Sequence, residues 1–223
     1  MGSVSVRNVS KDYVLGRTIV RALKDVSLEV EKSEFIAIAG PSGSGKSTLL
    51  NLVSAIDSPT QGEVLIDGVA LKSLDDNALS DLRANKIGFI FQTFNLIPVL
   101  SAYENVEFPL LFKRQGSVSK ARVRNVLARV GLEDFMHHRP DELSGGQRQR
   151  VAVARALVTD PLIVLADEPT ANLDSETGQA VIDLMLEINR SAGTTFIFST
   201  HDPSVMNHAR RVVRLVDGRI VAS

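Results

Sequence analysis

The sequence predicts an α/β fold with three parts: a core built on a mostly parallel sheet, an N-terminal antiparallel β layer, and an inserted helical segment. Three observations predict it. Short, continuous apolar runs recur along the chain, helical patterns lie between them, and one long stretch of helical character interrupts the alternation. Continuous apolar runs suit strands covered on both faces. Strands that alternate with helices call for the crossover connections of a parallel sheet.

The elements follow in order. Val4, Val6 and Val9 alternate with Ser5, Arg7 and Ser10; a second alternating run is Val26, Leu28 and Val30; a third, Val64 and Ile66, runs into Asp67-Gly68. Period-two alternation ending in an Asp-Gly turn signal reads as antiparallel strands. The apolar runs Phe35–Ala39, Ile87–Phe91, Leu162–Ala166 and Thr195–Phe198 read as the parallel strands. Helical patterns lie at about Lys46–Ile56, Ser119–Val130, Ser144–Val158 and Glu176–Arg190. From about Asn95 to Asp141 there is no strand run, so this stretch reads as a helical lobe; with the helix that follows, the insertion covers about residues 95–158 of a single domain, residues 1–223.

Composition narrows the class. Lys and Arg number 25 against 26 Asp and Glu, a formal net charge of -1. Nucleic-acid binders carry a basic excess, so no nucleic-acid partner is expected. The local clusters Lys113-Arg114, Arg122/Arg124 and Arg210-Arg211 read as solvated surface. The absence of cysteine excludes disulfides and cysteine-based chemistry. The opening MGSVSVRNVSKDY is polar and alternating, unlike a secretory leader. No apolar run approaches the roughly 20 residues that span a bilayer, so any work at a membrane needs a partner that supplies the span.

The first chemical motif is Gly40-Pro41-Ser42-Gly43-Ser44-Gly45-Lys46-Ser47-Thr48, placed between an apolar run and a helix. That context is the one a Walker A phosphate loop requires. Glycines let successive backbone N–H groups turn inward on phosphate oxygens, and the helix start adds partial positive charge. Lys46 supplies a full charge to the terminal phosphates, and the Ser47 hydroxyl is a Mg²⁺ ligand. A second motif closes the run Leu162–Ala166 with Asp167-Glu168. Asp167 suits Mg²⁺, partly through water, and Glu168 suits the polarisation of an attacking water. A third, Leu143-Ser144-Gly145-Gly146-Gln147, puts a capping serine and two glycines at a helix start, which makes a second anion site. One nucleotide has one triphosphate, so the second helix end is expected to serve the nucleotide of another subunit.

With these motifs in this order, the sequence resembles the ATP-binding-cassette family from Val4 to about Val221, and Leu143–Gln147 is similar to that family's signature motif. The resemblance implies an ATPase with ATP and Mg²⁺ as cofactors. It implies further roles. Tyr13 would stack on adenine; Gln92 would reach Mg²⁺ and the attacking water; Asn172-Leu173-Asp174 would lie across a dimer interface; His201 would contact the γ-phosphate. Glu168, His201, Gln92 and Lys46 are then the catalytic set, and Ser47, Gln92 and Asp167 the metal set. Tyr13, Gly40, Ser42, Gly43, Ser44, Gly45, Lys46, Ser47, Thr48 and Gln92 would hold one ATP, while Ser144, Gly145, Gly146, Gln147 and Asp174 would complete the site of a partner copy in a homodimer.

The stretch Phe91–Pro98 and Ser101–Val106 looks like the branch that includes the lipoprotein-release, macrolide-export and cell-division ATPases. That likeness implies a peripheral place on the cytoplasmic face of the inner membrane, through a separate integral membrane subunit. A mechanical signalling ATPase with no transported substrate remains an alternative. A soluble repair or translation cassette is disfavoured, because no sustained heptads occur and only one cassette is present.

Overall fold

The computed structural model describes residues 3–113 and 120–221. Arg114 of the first basic cluster and Ser119, where a helix was expected to start, lie outside them.

Strands β1 (Val4–Leu15) and β2 (Thr18–Val30) form a long hairpin turned at Gly16, which has φ 62. β3 (Phe35–Ala39) leads into α1 (Lys46–Val53). β4 (Gln61–Ile66), β5 (Val69–Ala70), α2 (Asp76–Lys86) and β6 (Ile87–Ile90) follow. Then come α3 (Ala102–Glu107), α4 (Lys120–Arg129) and α5 (Gly145–Leu157), with short 3₁₀ turns between them. The chain continues through β7 (Ile163–Asp167), α6 (Ser175–Ala192), β8 (Thr195–Thr200), α7 (Pro203–Met206), β9 (Arg211–Val216) and β10 (Arg219–Val221).

Two sheets result. The antiparallel one has the order β2-β1-β4-β5, and the six-stranded one β10-β9-β3-β8-β7-β6. Within the second, β9, β3, β8, β7 and β6 run parallel and only the edge strand β10 is antiparallel.

The continuous apolar runs have a direct cause. Phe35 and Ala37 of β3, Val164 and Ala166 of β7, and Phe196 and Phe198 of β8 enter one core with α3, α4, α5 and α6. Ile36 and Ile38, Ile163 and Leu165, and Ile197 enter a second core, made with α1 and the antiparallel sheet. Each of these strands is therefore buried on both faces. The ring of Phe35 lies 5.6 Å from that of Phe196 and 5.0 Å from that of Phe198, which ties the middle of the sheet together.

Several elements differ from expectation. The helix expected to reach Ile56 stops at Val53, because Ala55 turns left-handed with φ 57. The strand expected to reach Phe91 ends at Ile90. Helix α2 fully buries no residue, and Leu79 and Leu82 pack partly buried against the second core; the Asp75 carboxylate caps it by accepting from Ala78 N–H at 2.7 Å. The outer half of the β1–β2 hairpin exposes Val14, Leu15, Ile19 and Val20, so it has no buried face to leave an alternating pattern. The helix expected from Glu176 to Arg190 runs from Ser175 to Ala192.

Candidate nucleotide site

The phosphate loop, the acid pair and His201 meet at the carboxyl edge of the parallel sheet. Pairing of Ala39 with Thr200 and of Asp167 with Ser199 sets Gly40, His201 and Glu168 one residue past the ends of three adjacent strands. In open α/β sheets this edge is where ligands bind.

The loop is built around very close approaches. A Cβ on Gly40 would lie 2.0 Å from the Leu215 carbonyl oxygen, and one on Gly45 would lie 2.6 Å from that of Ala22. Gly45 also needs φ 104 to start α1. Lys46 is buried, and its ammonium donates to the carbonyls of Gly40 at 2.9 Å and Pro41 at 3.1 Å. Ser44 Oγ is buried and has no hydrogen-bond partner among the described residues. A buried hydroxyl in a curled glycine loop fits an acceptor such as a phosphate oxygen. Ser42, Gly43, Gly45, Lys46, Ser47, Thr48, Gln92 and Glu168 line one cleft together with Val20, Arg21 and Ala22 of β2.

Glu168 is the hub. Its Oε1 is 3.6 Å from Lys46 Nζ and 3.2 Å from His201 Nδ1. Its backbone has φ 44, a left-handed conformation that costs a non-glycine residue of order 1–3 kcal/mol and needs the surroundings to enforce it. The enforcing group is Ser199. Its hydroxyl accepts from Glu168 N–H at 2.9 Å and donates to Asp167 Oδ1 at 2.6 Å. Ser199 is fully buried and was missed in the sequence, where the only sign was a small polar residue after Phe196-Ile197-Phe198 at a strand tip.

Tyr13 lies next to this loop. Its hydroxyl donates to Asp57 Oδ2 at 2.9 Å, and Lys11 Nζ sits 4.9 Å from its ring centroid. Burial, then the hydrogen bond to Asp57, push the phenol above its ordinary pKa, while contact with Thr48 of α1 pulls the other way. Asp57, a second residue missed in the sequence, accepts from Lys11 as well at 2.6 Å.

Ser144, Gly145, Gly146 and Gln147 line a different surface. Ser144 caps α5: its hydroxyl accepts from Gln147 N–H at 3.2 Å, and Gln147 Oε1 accepts from Ser144 N–H at 2.8 Å. A Cβ on Gly146 would lie 2.4 Å from Thr177 Cγ2, so this helix start is packed on the start of α6. Asp174 caps α6 by accepting from Thr177 N–H at 2.9 Å; that backbone hydrogen bond, first among its partners, holds its carboxyl below the usual range. None of these five residues is among those that line the Lys46 cleft. The chain thus presents one glycine-rich loop at the Lys46 cleft and, apart from it, a capped helix start with two glycines in its first turn.

A loop of this kind after β3, with an acid pair at the tip of β7 one strand beyond β8, defines a nucleotide-binding P-loop ATPase. The chain belongs to the ABC transporter family, whose model matches residues 23–171. It is 48% identical over 222 residues to the uncharacterized ABC transporter ATP-binding protein MJ0796 of Methanocaldococcus jannaschii, covering 97% of this chain and 94% of that one. It is 47% identical over 222 residues to the lipoprotein-releasing system ATP-binding protein LolD of Anaeromyxobacter dehalogenans, covering 99% and 93%. Among solved structures, the dimeric post-hydrolysis state of MJ0796 bound to ADP and Pi superposes with a TM-score of 0.91 at 47% identity, covering 98% of this chain and 97% of the other. The chain is therefore an ATP-binding, ATP-hydrolysing ABC subunit. Among the described residues no helix is long and apolar enough to cross a membrane.

Proposed function

We propose that this chain powers a separate integral membrane subunit of the lipoprotein-release or macrolide-export type, from the cytoplasmic face of the inner membrane, by ATP-driven closure and opening of a homodimer. The observation that carries the reading is the separation of the two anion sites: Lys46 and the loop glycines line one cleft, and the Ser144–Gln147 helix start lies outside it. Each site is half of a nucleotide pocket, and two copies set head to tail complete two pockets. The dimeric form of the similar MJ0796 cassette and the 47% identity to a lipoprotein-releasing ATPase support it. A cell-division-type subunit that transmits motion without moving a substrate is the alternative reading, and the identity of the membrane partner separates the two.

Within a pocket, Tyr13 stacks on the adenine. Lys46 and the loop N–H groups, including those of Ser42, Gly43 and Thr48, hold the β and γ phosphates. Mg²⁺ would be held by Ser47, Asp167 and Gln92, partly through water, and would neutralise the phosphate oxygens. These residues fit such an ion, because Mg²⁺ takes one or two protein oxygens and completes its shell with phosphates and water. Glu168 Oε1 orients the attacking water, and His201, bonded to the same oxygen, contacts the γ-phosphate. The partner's Ser144, Gly145, Gly146 and Gln147, with Asp174 beside them, close over that phosphate. Bound nucleotide favours the closed dimer only through its differential affinity for that state, and hydrolysis removes the difference.

Glu168→Gln tests the assignment. It is expected to bind ATP, to lose turnover, and to accumulate as an ATP-dependent dimer in size-exclusion chromatography. Turnover near the parent rate would remove Glu168 from its role. Capture of membrane partners by the trapped form then decides the subunit type: a subunit with few spans and a large extracytoplasmic domain supports the reading, and soluble partners alone overturn its membrane half.

A further inference from the structure

The loop that carries Gln92 is lashed along helix α5 by two arginines. After β6 the chain turns through Phe94 at φ 61 and Asn95 at φ 49, two consecutive non-glycine residues in the left-handed region. Such residues persist only where their surroundings hold them. Part of the hold is local: Asn95 N–H donates to the Thr93 carbonyl at 2.6 Å, and the Thr93 hydroxyl to Asn95 Oδ1 at 2.8 Å. The rest comes from α5. Arg155 Nη2 donates to the Phe94 carbonyl at 2.7 Å, and Nη1 to the Asn95 carbonyl. A planar guanidinium fork spans two acceptors in a way a point charge does not. Burial lowers the Arg155 guanidinium to about 10, which leaves it cationic at neutral pH. Two turns earlier on the same face, Arg148 Cζ lies 5.3 Å from the Phe94 ring centroid. From the other side, Asn172 Nδ2 donates to the Gln92 carbonyl at 2.7 Å.

The same helix is anchored at both ends. Near its C-terminus it presses on β6, where a Cβ on Gly88 would lie 2.3 Å from the Ala156 carbonyl oxygen. Its first turn carries Gly145, Gly146 and Gln147.

We propose that Arg155 is a positioning residue that fixes the Gln92 loop to α5, so that the helix which reads the partner's nucleotide also sets the placement of Gln92 in this chain's own cleft. The inference rests on the role of Gln92 proposed above. Arg155 is not among the residues that line the Lys46 cleft. It acts by holding two left-handed carbonyls in place, and through them Gln92, which lines that cleft. Occupancy of one nucleotide pocket is thereby felt in the other through a single helix.

The test compares Arg155→Ala, Arg155→Lys, Arg155→Ala with Asn95→Gly, and Gln92→Ala in the full chain, by steady-state Mg-ATP hydrolysis alongside circular dichroism. Arg155→Ala is expected to lower kcat about 10-fold or more with KM for ATP within about 2-fold, the mark of a group that matters after binding. Arg155→Lys keeps the charge and the fold but lacks the fork, and is expected to lose kcat several-fold. It carries the test if the alanine variant does not fold. Glycine takes the left-handed conformation without strain, so adding Asn95→Gly is expected to return part of the lost kcat. The inference is overturned if the Arg155 variants turn over at the parent rate while Gln92→Ala is impaired. It is also overturned if kcat follows the folded fraction alone and Asn95→Gly returns nothing. A Gln92→Ala form at the parent rate removes the role of Gln92 itself, and this inference with it.

Discussion

Replacing Ser199 by Ala removes one oxygen from the tip of β8 and two hydrogen bonds from the acid pair. Ser199 is fully buried, its hydroxyl accepts from Glu168 N–H at 2.9 Å, and it donates to Asp167 Oδ1 at 2.6 Å. Leaving a buried N–H without a partner costs about 1–3 kcal/mol, and losing a hydrogen bond to a charged group about 1.5–3 kcal/mol. Asp167 and Glu168 are both only partly buried, so water can replace part of each loss. The net destabilisation expected is then about 2–4 kcal/mol. For a chain of this size that corresponds to a fall in Tm of roughly 5–15 °C. The functional effect has a separate origin. Glu168 sits at φ 44 because its N–H is held, and once it is released the carboxylate is free to leave the position between Lys46 and His201. Turnover is therefore expected to fall with KM for ATP little changed. Thermal unfolding and steady-state hydrolysis measured on one preparation check both effects. A Ser199→Ala protein with the parent Tm and the parent kcat would refute the argument that this hydroxyl holds the strained acid.

Two further outcomes follow from the same geometry. Gly40→Ala places a Cβ 2.0 Å from a backbone carbonyl of β9 and 2.8 Å from Ser44 Oγ, neither of which can yield as a long side chain would. Overpacking of this kind costs about 1–3 kcal/mol, and ATP affinity measured by calorimetry is expected to fall with stability. Asp57→Asn tests the support of Tyr13. Burial alone would raise the Asp57 carboxyl, but the hydrogen bonds from Lys11 and Tyr13 outweigh it and hold the group below its ordinary value. A depressed carboxyl stabilises the fold fully above its unfolded value, near 4, and loses that contribution as pH falls through the lower folded value. The stability gap between parent and Asp57→Asn, followed by urea unfolding, is thus expected to be constant near neutrality and to shrink below about pH 4.

The parts of the site written as contiguous residues were legible in advance. Gly40–Thr48 and Asp167-Glu168 each lie on a stretch short enough for the backbone itself to set the geometry: a strand end, a turn and, for the loop, a helix start. The parts assembled from distant segments were not. Ser199 reaches back 32 positions to Asp167, Tyr13 meets Asp57 across 44, and Arg155 meets Phe94 across 61. Nothing in local periodicity marks such pairs. The same holds for elements: α2 turns little more than Leu79 and Leu82 towards the core and the hairpin tip exposes both faces, so neither writes a long hydrophobic period into the sequence.

By itself, then, the sequence determined the α/β class and the places of its buried strands along the chain, because burial on both strand faces demands continuous apolar runs. Only the tertiary structure decided which oxygen of Glu168 lies between Lys46 and His201, which hydroxyl holds its strained backbone, and that Ser144–Gln147 stand outside the lining of the Lys46 cleft. Those are settled by strand order and register: β8 inserts between β3 and β7, which sets Ser199 beside Asp167 and His201 beside Glu168, whereas α5 starts against α6 on another surface.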